Sequence, residues 1–221
     1  MSSIKLVYAY WRERYPARVF VPFAILITAA GIAAGGSLPS VRDAIKGFFL
    51  SYTLVLAFRI GDDVADLPRD LVHTPGRVLV RASSRTPIIV LALLVASGAV
   101  LTMLSQPWPG ARIALFATMT PLLGVWYHAR GRLRGGPLIG AHVLLLKYPA
   151  IALLACARWD SLTLYSALPT LGAIYLGLCI YEQVHDRAVR ESRGAPWVFA
   201  AEIVLLGGLP LLAISAGGRL P

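Results

Sequence analysis

The stretch Gly47–Leu79, GFFLSYTLVLAFRIGDDVADLPRDLVHTPGRVL, runs straight from an apolar segment into four aspartates and three arginines. The first twelve residues carry no charge. Asp62, Asp63, Asp66 and Asp70 then follow within nine positions. Carboxylates gathered at the end of an oily run mark the point where a hydrophobic helix reaches a polar surface. The rest of the chain shows which surface that is.

Hydrophobic residues make up 57% of the 221 residues and charged residues only 14%. The mean hydropathy is +0.68. A soluble domain carries about 25% charge, so the composition predicts an all-α integral membrane protein. In lipid, runs of this length satisfy their backbone as helices. A spanning helix needs about 20 apolar residues, and seven segments qualify: 17–36, 41–60, 86–104, 111–128, 136–157, 163–182 and 196–216. Almost nothing remains for a soluble domain, so residues 1–221 read as a single transmembrane domain. No secretory signal is expected, because Tyr8, Tyr10, Trp11 and Glu13 interrupt the start. Cys156 and Cys179 fall inside apolar segments and read as small core residues, with no disulfide framework and no metal site expected of them.

The formal net charge is +10, and its distribution explains it. With the N-terminus inside, five of the 21 lysines and arginines fall outside: Arg42, Lys46, Arg112, Arg158 and Arg219. Lys147 falls within a helix, and the other fifteen fall inside. That asymmetry follows the positive-inside rule. The basic balance therefore reports topology and attraction to membrane lipid, and nucleic acid is not an expected partner. The outer connections are short and the inner ones carry nearly all the charge, so the working face is expected to be cytoplasmic.

Two inner connections hold acidic sets. Asp62, Asp66 and Asp70 are spaced for one helix face, as are Glu182 and Asp186 in YEQVHD. Pro68 predicts that the helix ends near Asp66, leaving Asp70 on a loop. Crowded carboxylates need a cation among them. Hard oxygen ligands suit Mg²⁺, which typically takes one or two carboxylates with substrate phosphate oxygens. Arg59, Arg69, Arg77 and Arg81 would complete an anion site. Spacing and charge thus point to a Mg²⁺–diphosphate site at the cytoplasmic mouth of a helical bundle. The alternative from the residues alone is a solvated loop whose acids balance its arginines.

The stretch GDDVADLPRDLVHTPGRVL resembles the first signature of the UbiA superfamily of intramembrane prenyltransferases. Asp62, Asp63, Asp66, Asp70, Pro75 and Arg77 match that motif residue by residue, after the second predicted helix. YEQVHD resembles the family's second acidic motif, with Glu182 and Asp186 in place and His185 where a lysine is usual. WYHARGR resembles its tyrosine and basic element, with Tyr127 and Arg130 matching. After Asp186 only Glu191 stands where the family carries two further aspartates, and the chain offers seven spans where nine are usual.

The resemblance implies a bundle with a central cavity opening to the cytoplasm. It implies Mg²⁺ as cofactor, held by Asp63, Asp66, Asp70, Glu182 and Asp186, with Asp62 alongside them in the catalytic set. Diphosphate would be met by Arg59, Arg77, Arg130, Tyr127 and His185, and Lys147, Tyr52 and Tyr181 would line the cavity or acceptor site. The implied reaction is ionisation of an isoprenyl diphosphate and transfer of the prenyl group to an aromatic or other small acceptor. A UbiA-type terpene cyclase is the alternative, and a non-catalytic lipid-binding or carrier protein is a further one. Aromatic liners expected from sequence are Phe48, Tyr52, Phe58, Trp126, Tyr175 and Tyr181.

Lys147 lies about ten residues into the fifth span, roughly 15 Å deep at 1.5 Å per residue. An ionisable group at that depth is a functional candidate. A structural ion pair is the competing expectation, with Glu202 as its partner. His142, in the same span, is expected to pack or to shape an acceptor site. A retinal photoreceptor is disfavoured, because its lysine belongs on the last helix.

Overall fold

A computed structural model describes residues 2–129, 136–159 and 164–217. Among these the chain is entirely helical. The helices are α1 (Ser3–Arg14), α2 (Ala17–Ala34), α3 (Val41–Ala65), α4 (Leu67–His73), α5 (Val78–Arg81) and α6 (Thr86–Leu104). They continue as α7 (Pro109–Ala129), α8 (Gly136–Leu145), α9 (Lys147–Ala155), α10 (Leu164–His185), α11 (Arg187–Arg190) and α12 (Ala195–Gly217).

Five helical segments are long and apolar enough to cross a membrane: Ala17–Ala34, Val41–Ala65, Thr86–Leu104, Gly136–Ala155 and Ala167–His185. They give the chain the build of a multi-pass membrane protein. The other two expected spans fall on α7 and α12, which are helical but outside that group of five. Large apolar side chains such as Ile25, Leu26, Leu93, Leu94 and Leu101 point outward and are exposed. Helices apolar on their outer face as well as their inner one suit a lipid surround.

The short helix α9 sits at the centre, packed against α2, α3, α7 and α10. Small residues allow the close approach. A Cβ built on Gly31 would lie 2.4 Å from the Ala152 carbonyl oxygen, and one on Gly47 would lie 3.0 Å from that of Ala155. Leu50, Leu54, Ile151 and Leu154 are fully buried where α3 packs on α9. At the far end of α9 the buried Arg112 guanidinium donates to the carbonyls of Leu154, Cys156 (2.5 Å) and Pro107 (2.9 Å). A cation suits the carbonyl end of a helix. Arg112, expected on an outer connection, is thus a buried helix cap.

Three local features depart from expectation. The helix beginning at Val41 runs past the apolar span's limit at residue 60 to Ala65, the end that Pro68 predicts, so Asp62 and Asp63 are helical. Asp70 lies on α4 rather than on a loop, because the chain restarts a helix with Pro68 in its first turn, where a missing N–H costs nothing. The fifth span is broken at Leu146 into α8 and α9. Pro149 has no N–H to offer the carbonyl of Leu145, which ends α8 there.

Candidate functional site

Asp62 and Asp63 are neighbours on the last turn of α3, so their side chains diverge by about 100°. Asp63 faces α1 and is buried. Its Oδ2 accepts from the Tyr10 hydroxyl at 2.8 Å and from Arg14 Nε at 3.0 Å, and its Oδ1 accepts from Arg14 Nη2 at 2.5 Å. Arg59 Nε approaches at 3.6 Å. The hydrogen bond to Asp63 holds the Arg14 pKa above its ordinary value. Burial, with Asp63 adding to it, pushes the Tyr10 hydroxyl up as well.

Asp62 faces the other way. Its carboxylate accepts from the Tyr127 hydroxyl and from Lys147 Nζ. Lys147 is almost fully buried at the α8–α9 break and makes an ion pair with Asp62. Glu202, its expected partner, instead meets His142 at 2.6 Å and accepts from Gln183. Asp70 turns away with α4, pairing with Arg77 and accepting from the Thr74 hydroxyl at 3.1 Å.

A cavity of about 680 Å³ opens where these elements meet α10 and α11. Its wall includes Asp62 and Asp66 from the end of α3, and Glu182 and Asp186 from the end of α10. The two acidic sets, far apart in sequence, therefore share one cavity. Arg59, Arg69, Lys147 and Tyr127 line it too. Trp126, Tyr148, Leu144 and Leu145 give it an apolar aromatic side, and Gly136, Gly140 and Ala141 keep it open. The volume is that of an ordinary small-ligand site.

Asp186 caps α11: its Oδ1 accepts from the backbone N–H groups of Ala188 at 2.7 Å and Val189 at 3.4 Å. Glu182 is half-buried one turn earlier, and none of the side-chain hydrogen bonds or ion pairs among the described residues involves its carboxylate. Neither acid pairs with the arginines of its own loop. Arg187 pairs with Glu191, and Arg190 donates to the Val184 carbonyl. The buried Arg59 Nε and Trp126 Nε1 have no hydrogen-bond partner among the described residues. Both side chains border the cavity.

Asp63, Asp70 and Arg77 lie off this cavity. So do Tyr181 and His185, which are exposed and stacked on each other at 3.9 Å. Tyr52 packs among Trp11, Tyr15 and Phe48, also away from it. Arg130 lies outside the described residues. Of the expected aromatic liners Trp126 is in place, and Tyr148 joins it. Sequence reasoning missed Tyr148, although it sits beside Lys147. It also missed Tyr10 and Arg14, whose segment YAYWRER speaks in the sequence only to charge and to the lack of an apolar signal core. No protein-family model, curated protein or solved structure matches the chain.

Proposed function

We propose that the chain is a UbiA-like intramembrane enzyme. It would ionise an isoprenyl diphosphate with Mg²⁺ and pass the prenyl group to an aromatic or other small acceptor. In this reading α7 and α12 complete a bundle of seven spans, and the cavity opens toward the cytoplasm. The observation that carries the reading is the meeting of Asp62 and Asp66 with Glu182 and Asp186 around one cavity that also holds Arg59, Arg69 and Lys147.

The donor set fits Mg²⁺, which prefers carboxylate, phosphate and water oxygens. Asp66, Glu182 and Asp186 would hold the ion, while Lys147 and Tyr127 bind Asp62. When bound, it supplies Lewis-acid stabilisation of charge on the departing diphosphate. The chain's own residues do the rest. Arg59 and Arg69 offer guanidinium groups to the anionic oxygens. Lys147 and Tyr127 fix the carboxylate of Asp62 and hold its charge in place. As the allylic carbon–oxygen bond breaks, the electron pair leaves with diphosphate. The cation left behind lies against Trp126 and Tyr148, whose ring faces favour positive charge and whose apolar surroundings exclude water. An acceptor captures the cation and gives up a proton.

A second reading, a non-catalytic lipid-binding protein, is favoured by one observation: Asp62, Asp63 and Asp70 already hold protein cations. Purified protein with Mg²⁺ and allylic diphosphates of geranyl, farnesyl and geranylgeranyl length separates the possibilities. Prenylated adducts with an aromatic acceptor support transfer. Hydrocarbons formed without acceptor mean terpene cyclisation. Substrate recovered intact at every chain length means the lipid-binding role.

A further inference from the structure

A second polar cluster lies on α8, α10 and α12, off the cavity wall, and takes no part in the chemistry above. His142 of α8, Cys179 of α10 and Glu202 of α12 bring one nitrogen, one sulfur and one oxygen within 4.8 Å of one another. Cys179 and Glu202 are buried and His142 is partly so. We infer that these three side chains form a Zn²⁺ site that joins α8, α10 and α12.

The hydrogen bonds around the cluster carry the inference. His142 Nδ1 lies 2.7 Å from the Leu138 carbonyl oxygen. A carbonyl only accepts, so Nδ1 bears the proton and Nε2 presents a lone pair. That lone pair faces Glu202 Oε1 at 2.6 Å. Two acceptors so close require a cation between them, either a proton or a metal. A proton accounts for the histidine and the glutamate alone. The thiol bonds to Glu202 as well, and a metal is the one cation that would bind all three side chains at once. Each ligand is oriented from behind, as in metal sites. The Leu138 carbonyl sets the histidine, Gln183 Nε2 donates to Glu202 Oε2, and the Tyr175 hydroxyl meets the Cys179 sulfur. Imidazole, thiolate and carboxylate together are Zn²⁺ ligands, while the hard Mg²⁺ ion disfavours sulfur.

Charge balance suits a site within a membrane. The empty cluster holds one proton between His142 and Glu202 and one on the Cys179 thiol, and is neutral. Zn²⁺ bound by neutral imidazole, thiolate and carboxylate is neutral too. Binding therefore exchanges one Zn²⁺ for two protons and leaves no net charge in the low-dielectric interior. Admitting the ion opens the His142–Glu202 contact and draws the thiolate in, leaving a fourth position for water.

The test uses the full chain in detergent with Co²⁺ as a spectroscopic probe and Zn²⁺ as competitor. With excess Mg²⁺ present to fill the oxygen-lined cavity, the wild type should bind one Co²⁺ with a thiolate-to-cobalt charge-transfer band and tetrahedral ligand-field bands. Zn²⁺ should abolish both, with release of two protons per ion. Cys179→Ser should lose the charge-transfer band and Cys156→Ser should keep it. Gln183→Leu should weaken binding about 10–100-fold. Glu182→Gln should leave the cobalt spectrum unchanged, so the result stands whether or not the diphosphate proposal does. A wild-type protein that gives no thiolate–cobalt band, or a band that survives Cys179→Ser, overturns the site. The wild-type spectrum and proton count need no variant to fold.

Discussion

The buried ammonium of Lys147 is paired with the carboxylate of Asp62, on a helix 85 positions earlier in the chain. This pair ties the end of α3 to the break between α8 and α9, and Tyr127 joins it from α7. It fixes one wall of the cavity. It also explains why a lysine is tolerated at such depth: the charge is compensated where it lies.

The pair gives a double-mutant test. Lys147→Met leaves a half-buried carboxylate with only a tyrosine partner and should cost about 1–3 kcal/mol of stability. Adding Asp62→Asn should recover much of that loss. Thermal unfolding in detergent reads both changes. If the two losses simply add, the side chains are not coupled.

Asp63 should behave differently from its neighbours. Its partners Tyr10 and Arg14 are both on α1, so Asp63→Ala should free that helix. Hydrogen exchange over residues 3–14 should accelerate in Asp63→Ala and stay at the wild-type rate in Asp66→Ala. Equal protection of α1 in both variants would show that the anchor lies elsewhere.

The central helix crossing depends on a missing side chain. Gly31→Ala forces a Cβ against the Ala152 carbonyl and should cost about 1–3 kcal/mol. Gly98→Ala meets nothing within 4 Å and should gain about 0.5–1 kcal/mol from the alanine's lower backbone entropy. Melting temperatures that move together would contradict this packing.

Charge predicts the orientation in the membrane. Cysteines introduced at Ser83 and Ser192 should react with an impermeant thiol reagent from the cytoplasmic side. A cysteine at Ser105 should react from the opposite side. Labelling of Ser83 and Ser192 from opposite faces would refute the inner placement of both acidic connections.

Most helix limits could be read from hydropathy, and residues 86–104 were placed to the residue. The end of α3 could not, and it is Pro68 that marks it near Asp66. Charge ordinarily ends a spanning segment, but here Asp62 and Asp63 find buried cations and remain helical. The spacing of Asp62, Asp66 and Asp70 read as a single stripe. The new helix starting after Asp66 carries Asp70 to Arg77, off the cavity wall. Composition and spacing identified the acids, but their direction depends on tertiary partners. Lys147 shows the same limit: nothing local distinguishes Asp62 from Glu202 as its partner. Nor could sequence show that Pro149 breaks the helix just before that lysine.

The central claim is that Glu182 and Asp66 act together on a metal-bound diphosphate, and Glu182→Gln tests it most directly. The substitution is nearly isosteric and removes no hydrogen bond made by this side chain among the described residues, so the fold should persist. The measurement is Mg²⁺-dependent release of diphosphate from an allylic substrate by purified protein. The account predicts release by the wild type, none without Mg²⁺, and a drop of about a hundredfold or more in Glu182→Gln. Release by Glu182→Gln at the wild-type rate, or no release by the wild type at any chain length, would contradict it.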